Sequence, residues 1–311
     1  MIFWVALLIV GLTAAIIGSR RAVDYATELA YSFAVSPFII GAVVVGFGTD
    51  LPEIANSLIG ALAGEGDFAA GNATGSTITQ MTLVLGILPL VGGAITIGPQ
   101  RIVLPGALMV VGLITGAFFG SDDQLTRNEG LILIAFWIAS TYLIYRRTPL
   151  AGEPTMVAYE RRPMRSLGGL AVSLAVVGAG ATGAVTAFLE IAEALSVPVF
   201  LLSFFAASIG SSLPELVVDI TAVRQGERDL AVGDIFGSSL IDASLVLGIG
   251  PAVRHLTVDG DLVVTSGIAG AVIVGALTVV LARRGKHDWV TGLALLAAYA
   301  ALYPLLLSAG H

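Results

Sequence analysis

The stretch VVVGFGTDLPEIANSLIGALAGEGDFAAGNATGSTITQMTLVLGI occupies residues 43–87, and a near copy, FAASIGSSLPELVVDITAVRQGERDLAVGDIFGSSLIDASLVLGI, occupies residues 205–249. The copies align without a gap at an offset of 162 residues (215 − 53), which places Glu53 on Glu215 and Gln80 on Asp242. An ungapped match of this length indicates an internal duplication. The fold is therefore predicted to contain two equivalent halves, each organised around one copy.

The composition excludes a soluble globular domain. Hydrophobic residues make up 56% of the 311 residues and charged residues only 12%, whereas soluble domains are about 25% charged. The mean hydropathy of +0.94 predicts a polytopic membrane protein instead. The absence of cysteine excludes a disulfide framework, a thiolate metal site and a thiol nucleophile. The net charge of −7 argues against a nucleic-acid partner.

An all-α membrane fold follows from the apolar segments, since about 20 apolar residues cross a hydrocarbon core of about 30 Å. Ten such spans are predicted, near residues 2–18, 37–62, 69–93, 101–119, 129–145, 167–191, 198–223, 231–252, 262–282 and 288–308. The first lacks a basic start and is followed by Arg20 and Arg21, the reverse of the charge order in signal peptides. We therefore expect it to be retained as the first transmembrane helix.

The basic residues predict the topology, because arginine and lysine cluster on the cytoplasmic side of membrane proteins. With ten spans, 13 of the 15 basic residues fall on one side and only Arg127 and Arg254 on the other. This places the N- and C-termini outside, in a cell (inner) membrane. Residues 1–147 and 166–311 then form two five-helix repeats of inverted orientation, joined by a cytoplasmic linker at residues 148–165, an arrangement that secondary transporters use.

Polar residues inside the duplicated spans predict a cation site. A charged carboxylate at the centre of a membrane helix costs about 2.5–3.5 kcal/mol, so Glu53 and Glu215 indicate function. Pro52 and Pro214 interrupt their helices and free backbone carbonyls, which are tolerated at that depth only where they face protein or a cavity. The side-chain oxygen donors of both copies are Thr49, Asp50, Ser76, Gln80, Ser211, Ser212, Ser238 and Asp242. An all-oxygen shell without nitrogen or sulfur suits Ca²⁺.

Three other polar residues in these spans have simpler interpretations. Asn72 and Asp234 are interpreted as helix caps, and Asp219 is assigned no role.

The motifs GTDLPE and GSSLPE, each followed by a GN- or GD-led stretch that ends in GS, resemble the two α-repeats of the calcium/cation antiporter superfamily. The likeness is closest to prokaryotic sodium/calcium exchangers and extends over the whole chain. It implies that Glu53, Glu215, Gln80 and Asp242 form the central sites. It further implies that flanking sodium sites use Gly46, Thr49, Asp50, Ser76, Ser208, Ser211, Ser212 and Ser238. This chain departs from the family at two coordinating positions, with Asp50 in place of the usual Ser and Gln80 in place of Asn.

The sequence thus predicts a secondary antiporter that exports Ca²⁺ against entering Na⁺ and is not an enzyme. No cofactor and no protein partner are expected, only the transported cations and the lipid bilayer. A Ca²⁺/H⁺ antiporter is the first alternative, with carboxylate protonation in place of Na⁺ binding. An intramembrane aspartyl protease is suggested by Asp234 and Asp242, but its usual sequence motifs are missing. A passive cation channel is the third alternative.

Overall fold

The computed structural model describes residues 2–148, 163–194, 210 and 212–309. The chain forms two compact units. Unit 1 comprises Met1–Thr49 and Leu150–Asp234, and unit 2 comprises Asp50–Pro149 and Ile235–His311. Each unit takes residues from both predicted repeats, and the repeat boundaries themselves stay a prediction.

The described elements are mostly helical. Before the predicted linker they are α1 (Ile2–Phe33), α2 (Pro37–Thr49), α3 (Leu51–Ala63), α4 (Gly66–Gly92), β1 (Ile95–Thr96), α5 (Pro99–Gly120), β2 (Gln124–Leu125) and α6 (Arg127–Arg147). After it they are α7 (Pro163–Ala194), α8 (Leu213–Gln225), α9 (Arg228–Val253), β3 (Leu256–Thr257), α10 (Gly260–Arg284), β4 (Lys286–His287) and α11 (Trp289–Ala309).

The duplication in the sequence is repeated in the secondary structure. Helix α3 and helix α8 are both 13 residues long and begin 162 residues apart (213 − 51). Both are closed by a glycine in the left-handed region, Gly64 at φ 87° and Gly226 at φ 89°, a conformation that glycine adopts without steric cost. The two copies of the motif therefore encode the same local structure.

Seven of the described helices are long and apolar enough to cross a membrane, or eight spans if α2 and α3 form one broken span. The prediction of an all-α, multi-pass membrane protein is confirmed, whereas the count of ten spans stays a prediction. Half of the predicted span at 198–223 lies outside the described residues, which resume as a helix only at Leu213. The seven are α1, α4, α5, α6, α7, α9 and α10.

Unit 1 is built on close packing between α1 and α7. A Cβ atom added to Gly11 would lie 2.6 Å from the carbonyl oxygen of Gly180, so the two backbones approach more closely than any side chain allows. Small residues permit such contacts between membrane helices. The hydroxyl groups of Ser19 and Thr221, 2.7 Å apart, connect α1 to α8.

Unit 2 has an apolar core to which α3, α4, α6 and α9 contribute, with Leu133 and Val246 completely buried. Two short antiparallel strand pairs connect its loops, β1 with β4 and β2 with β3. The pair β2–β3 joins two loops that the basic residues place outside, and β1–β4 joins two loops placed inside. The contacts thus agree with the predicted grouping of these loops.

Candidate cation site

Three carboxylates are completely buried together in unit 2. Asp50, Glu53 and Asp242 have no solvent exposure. A carboxylate oxygen of Asp50 lies within 4.8 Å of one of Glu53, and Asp242 is close enough for both charges to repel its own. At that separation two ionised groups repel by about 3 kcal/mol at an effective dielectric of about 20. The arrangement requires a cation or a proton to compensate its charge.

The sequence around Pro52 positions Glu53. The helical conformation is interrupted at Asp50, and α3 begins at Leu51 with proline in its first turn, where the backbone needs no N–H donor. Glu53 lies in the same first turn, where the helix dipole favours a negative charge. Asn72 Nδ2 donates a hydrogen bond to the Glu53 carbonyl oxygen at 3.1 Å. Asn72 lies within α4, so its interpretation as a helix cap is wrong.

Gln80 is the polar centre of this cluster. Its amide nitrogen Nε2 donates to Asp50 Oδ1 at 3.3 Å, while its oxygen Oε1 accepts from Ser238 at 3.0 Å and from Ser239 at 2.9 Å. All these side chains are buried. Ser239 was not among the predicted ligands, although its equivalent in the first copy, Thr77, is also a hydroxyl residue. That shared hydroxyl was the available signal.

The helices that carry Gln80 and Asp242 widen at those residues. A π-helical segment covers Gln80–Val84 in α4, and another covers Asp242–Val246 in α9. Segments of this kind inside α-helices are frequent at functional sites. The two segments coincide at the 162-residue offset, so the local distortion is part of the duplicated design. Ser76, one turn before Gln80, is buried as well.

The other predicted ligands belong to unit 1. Thr49 is buried, and its hydroxyl donates to the carbonyl oxygens of Val45 and Gly46, at 3.2 Å in each case. Ser212 is the N-cap residue of α8 and is buried, and Glu215 lies completely buried in the first turn of that helix. The remaining two predicted ligands, Ser208 and Ser211, lie outside the described residues.

Asp219 and Asp234 form a second buried acidic pair, inside unit 1. Both have no solvent exposure, and they are neighbours on α8 and α9. Asp234 lies within α9 and is therefore not the helix cap that the sequence indicated. The equivalent residues of the first copy, Ser57 and Asn72, are neutral.

Duplicated membrane helices that carry buried carboxylates and hydroxyls define the class of secondary cation transporters. This chain belongs to the sodium/calcium exchanger protein family, whose profile it matches over residues 3–146 and again over residues 165–307. Each match covers one half of the chain, in agreement with the duplication. The resemblance to the calcium/cation antiporter superfamily is confirmed.

Individual relatives agree with this assignment. The chain is 32% identical to the inner membrane protein YrbG of Escherichia coli (strain K12) over 260 residues, which cover 80% of this chain and 79% of YrbG. It is 31% identical to the putative antiporter CaxA of Alkalimonas amylolytica, with 81% of each chain covered. Among solved structures it matches the sodium-calcium exchanger NCX_Mj with a TM-score of 0.82 and 26% identity, over 96% of this chain and 97% of that one.

Among these relatives, NCX_Mj is a sodium-calcium exchanger and CaxA is a putative antiporter. Its membership of the sodium/calcium exchanger family makes the protein a cation antiporter of the membrane.

Proposed function

We propose that this protein exports Ca²⁺ in exchange for Na⁺ by alternating access. The observation that carries the proposal is the completely buried group of Asp50, Glu53 and Asp242. Ca²⁺ prefers six to eight oxygen ligands and tolerates irregular geometry, whereas Mg²⁺ requires a strict octahedron and releases its water reluctantly. Three flexible carboxylates inside a membrane protein suit the larger ion.

Glu53 and Asp242 are the proposed direct ligands of Ca²⁺ within unit 2. Both oxygens of each carboxylate lack a hydrogen-bond donor among the described residues, so they are available to a cation. Gln80 differs, because its amide oxygen already accepts from Ser238 and Ser239. Both hydroxyl groups have to turn away before that oxygen can bind an ion. By the duplication, we assign Glu215 the same role as Glu53.

Neutral oxygens favour Na⁺ as the second ion. Hydroxyl groups of Ser76, Ser238 and Ser239 are buried in unit 2. Those of Ser238 and Ser239 donate to Gln80, which in turn donates to Asp50. A sodium ion bound to the same carboxylates excludes Ca²⁺, and this competition couples the two fluxes. The sodium/calcium exchanger MaX1 of Methanosarcina acetivorans, 25% identical over 284 residues that cover 78% of this chain and 81% of MaX1, supports this choice.

Asp50 supports a second candidate, Ca²⁺/H⁺ exchange. It adds a third carboxylate within 4.8 Å of Glu53, and close carboxylates titrate as a unit that holds a shared proton. Protons then replace Na⁺ as the exchanged ion.

Transport of ⁴⁵Ca²⁺ into proteoliposomes distinguishes the two candidates. A Na⁺ gradient imposed at fixed pH is expected to drive Ca²⁺ movement, and a pH gradient imposed without Na⁺ is expected to drive little. The control variant Glu65→Gln removes an exposed glutamate of the same motif, and its flux should equal that of the wild type. Flux that follows the pH gradient and ignores Na⁺ establishes Ca²⁺/H⁺ exchange, and flux that needs no counter-ion contradicts both candidates.

A further inference from the structure

A cavity of about 610 Å³ opens in unit 1 where α1, the start of α7 and the α8–α9 turn meet. Its lining includes two guanidinium groups, Arg21 and Arg165, and three carboxylates, Asp24, Glu28 and Glu227. The volume is within the range of about 300–1,000 Å³ that small-molecule sites occupy. All three segments belong to the side that the basic residues predict to be cytoplasmic.

The opposite charges of the lining do not neutralise one another. Across the described part of the chain, ion pairs join Asp288 to Arg284 and Lys286, and neither Arg21 nor Arg165 forms one with a lining carboxylate. Glu227 is half-buried, and burial, with a smaller contribution from Asp229, raises the pKa of its carboxyl group. The cavity therefore presents positive and negative groups that lack ion-pair partners among the described residues.

A buried hydroxyl group adds an independent polar contact. Thr27 lines the cavity with only 7% of its surface exposed, and its Oγ1 has no hydrogen-bond partner among the described residues. Leaving a buried polar group unpaired costs about 1–3 kcal/mol. A polar ligand in the cavity removes that cost.

The length of α1 predicts that the cavity lies at the depth of lipid headgroups. Helix α1 has 32 residues and is about 48 Å long, whereas the hydrocarbon core is only about 30 Å thick. The uninterrupted apolar run of α1 ends at Gly18, so we expect Arg21 to Glu28 to extend into the headgroup layer. One turn before Arg21 and directly before Arg165, Ile17 of α1 and Met164 of α7 expose 58% and 80% of their surfaces. These exposed apolar side chains offer a surface for acyl chains.

We propose that this cavity binds the headgroup of a zwitterionic phospholipid that carries a primary ammonium group. The phosphate contacts Arg21 and Arg165, since guanidinium groups bind phosphate through paired hydrogen bonds. Arg165 also lies in the first turn of α7, where the helix dipole favours an anion. The ammonium group contacts Glu28 and Glu227 near the C-terminal end of α8, where the dipole favours a cation.

The arrangement of the carboxylates disfavours a metal ion as the ligand. Asp24, Glu28 and Glu227 are all described residues, and they do not bring three oxygens within 4.8 Å of one another. A zwitterion with charges several ångströms apart matches separated guanidinium and carboxylate groups better than a single cation does.

Native mass spectrometry of the full-length protein in detergent tests the proposal. Phosphatidylethanolamine, phosphatidylcholine and phosphatidylglycerol with identical acyl chains are added at equal concentration. We expect phosphatidylethanolamine adducts to be about tenfold more abundant, equivalent to about 1.4 kcal/mol. The quaternary ammonium of phosphatidylcholine cannot donate hydrogen bonds, and phosphatidylglycerol has no ammonium. The double variant Glu28→Gln/Glu227→Gln should abolish the preference for phosphatidylethanolamine. Arg21→Gln/Arg165→Gln should lower the adducts of all three lipids, since all three carry the phosphate.

Matched controls make the result decisive. Arg146→Gln removes an exposed arginine at another helix end, and Arg21→Lys/Arg165→Lys keeps the charge if the neutral variant does not fold. Equal adducts from the three lipids, or the same loss in Arg146→Gln, overturn the proposal. If free phosphoethanolamine binds as tightly as the lipid, the ligand is a soluble compound and the proposal of a lipid is overturned, although the proposed contacts with the headgroup remain. Because the measurement is lipid binding, its failure leaves the proposed Ca²⁺ exchange intact.

Discussion

Replacing Glu53 with glutamine changes one charge in the buried group and almost no volume. The side chain is completely buried, and neither carboxylate oxygen accepts a hydrogen bond from a described residue. Its neighbours Asp50 and Asp242 carry the same charge. We therefore expect Glu53→Gln to have opposite effects in the presence and absence of Ca²⁺.

The separation of the carboxylates sets the size of the effect without Ca²⁺. At 4.8 Å, the repulsion between Glu53 and Asp50 is about 3 kcal/mol when both are ionised, at an effective dielectric of about 20. Protonation of the three carboxylates already relieves part of this repulsion in the wild type. We therefore expect the variant to gain about 1–3 kcal/mol in unfolding free energy rather than more. With Ca²⁺ at 100 times its Kd, the wild type gains about 2.7 kcal/mol from binding, and the variant should lose that gain.

Thermal unfolding in detergent measures both effects in one series. Wild type, Glu53→Gln and the control Glu65→Gln are each heated in EGTA and in Ca²⁺, and ⁴⁵Ca²⁺ exchange is measured on the same preparations. We expect the variant to have the highest Tm in EGTA, no Ca²⁺-dependent shift and no exchange, while Glu65→Gln behaves as wild type. A Ca²⁺-dependent shift in Glu53→Gln equal to that of wild type, or near-normal exchange, refutes the assignment of Glu53 as a ligand.

Three further predictions concern coupling, topology and pH. Asp50→Ser should weaken the pH dependence of ⁴⁵Ca²⁺ flux and spare Na⁺-driven exchange; an unchanged pH profile contradicts a proton-binding role. A cysteine at Asp122 should react with impermeant reagents only from outside and one at Arg165 only from the cytoplasm, and the reverse pattern inverts the topology. Burial lowers the pKa of His287 below its ordinary 6.5. As the pH falls, the imidazole therefore binds a proton at a higher pH in the unfolded chain than in the folded protein. Stability should therefore fall as pH drops through 6.5, and His287→Gln should flatten that dependence in thermal unfolding at pH 5.5 and 7.5.

The sequence predicted those features that follow from strong local constraints. A carboxylate in an apolar span is so unfavourable that the positions of Glu53 and Glu215 alone indicated a site, and both side chains are completely buried. Proline cannot donate a backbone hydrogen bond, and the interruption before Pro52 lies where its position indicated. The gap-free duplication predicted equivalent elements, and α3 and α8 have equal length at the same offset.

The remaining features depend on contacts between residues far apart in the chain. Gln80 accepts hydrogen bonds from serines 158 and 159 residues away, a relationship that helical spacing in one segment does not reveal. Asn72 resembles a cap in sequence but donates to a carbonyl of another helix. Asp219 and Asp234 likewise become neighbours only when α8 packs on α9. The π-helical segments at Gln80–Val84 and Asp242–Val246 were likewise not predicted from the sequence.

The two copies differ at one equivalent position, where the first has an amide and the second a carboxylate. This difference sets the negative charge of the cation site. Gln80 and Asp242 occupy equivalent positions, yet Gln80 is neutral and holds Asp50 through its nitrogen and two hydroxyls through its oxygen. Unit 2 therefore presents three buried carboxylates rather than four. One Ca²⁺ compensates only two of these three charges, so at least one negative charge remains, which costs several kcal/mol if it is not compensated. Asp50 supplies the carboxylate that the family usually lacks, and the ion that neutralises this residual charge, Na⁺ or H⁺, determines what the protein exchanges for Ca²⁺.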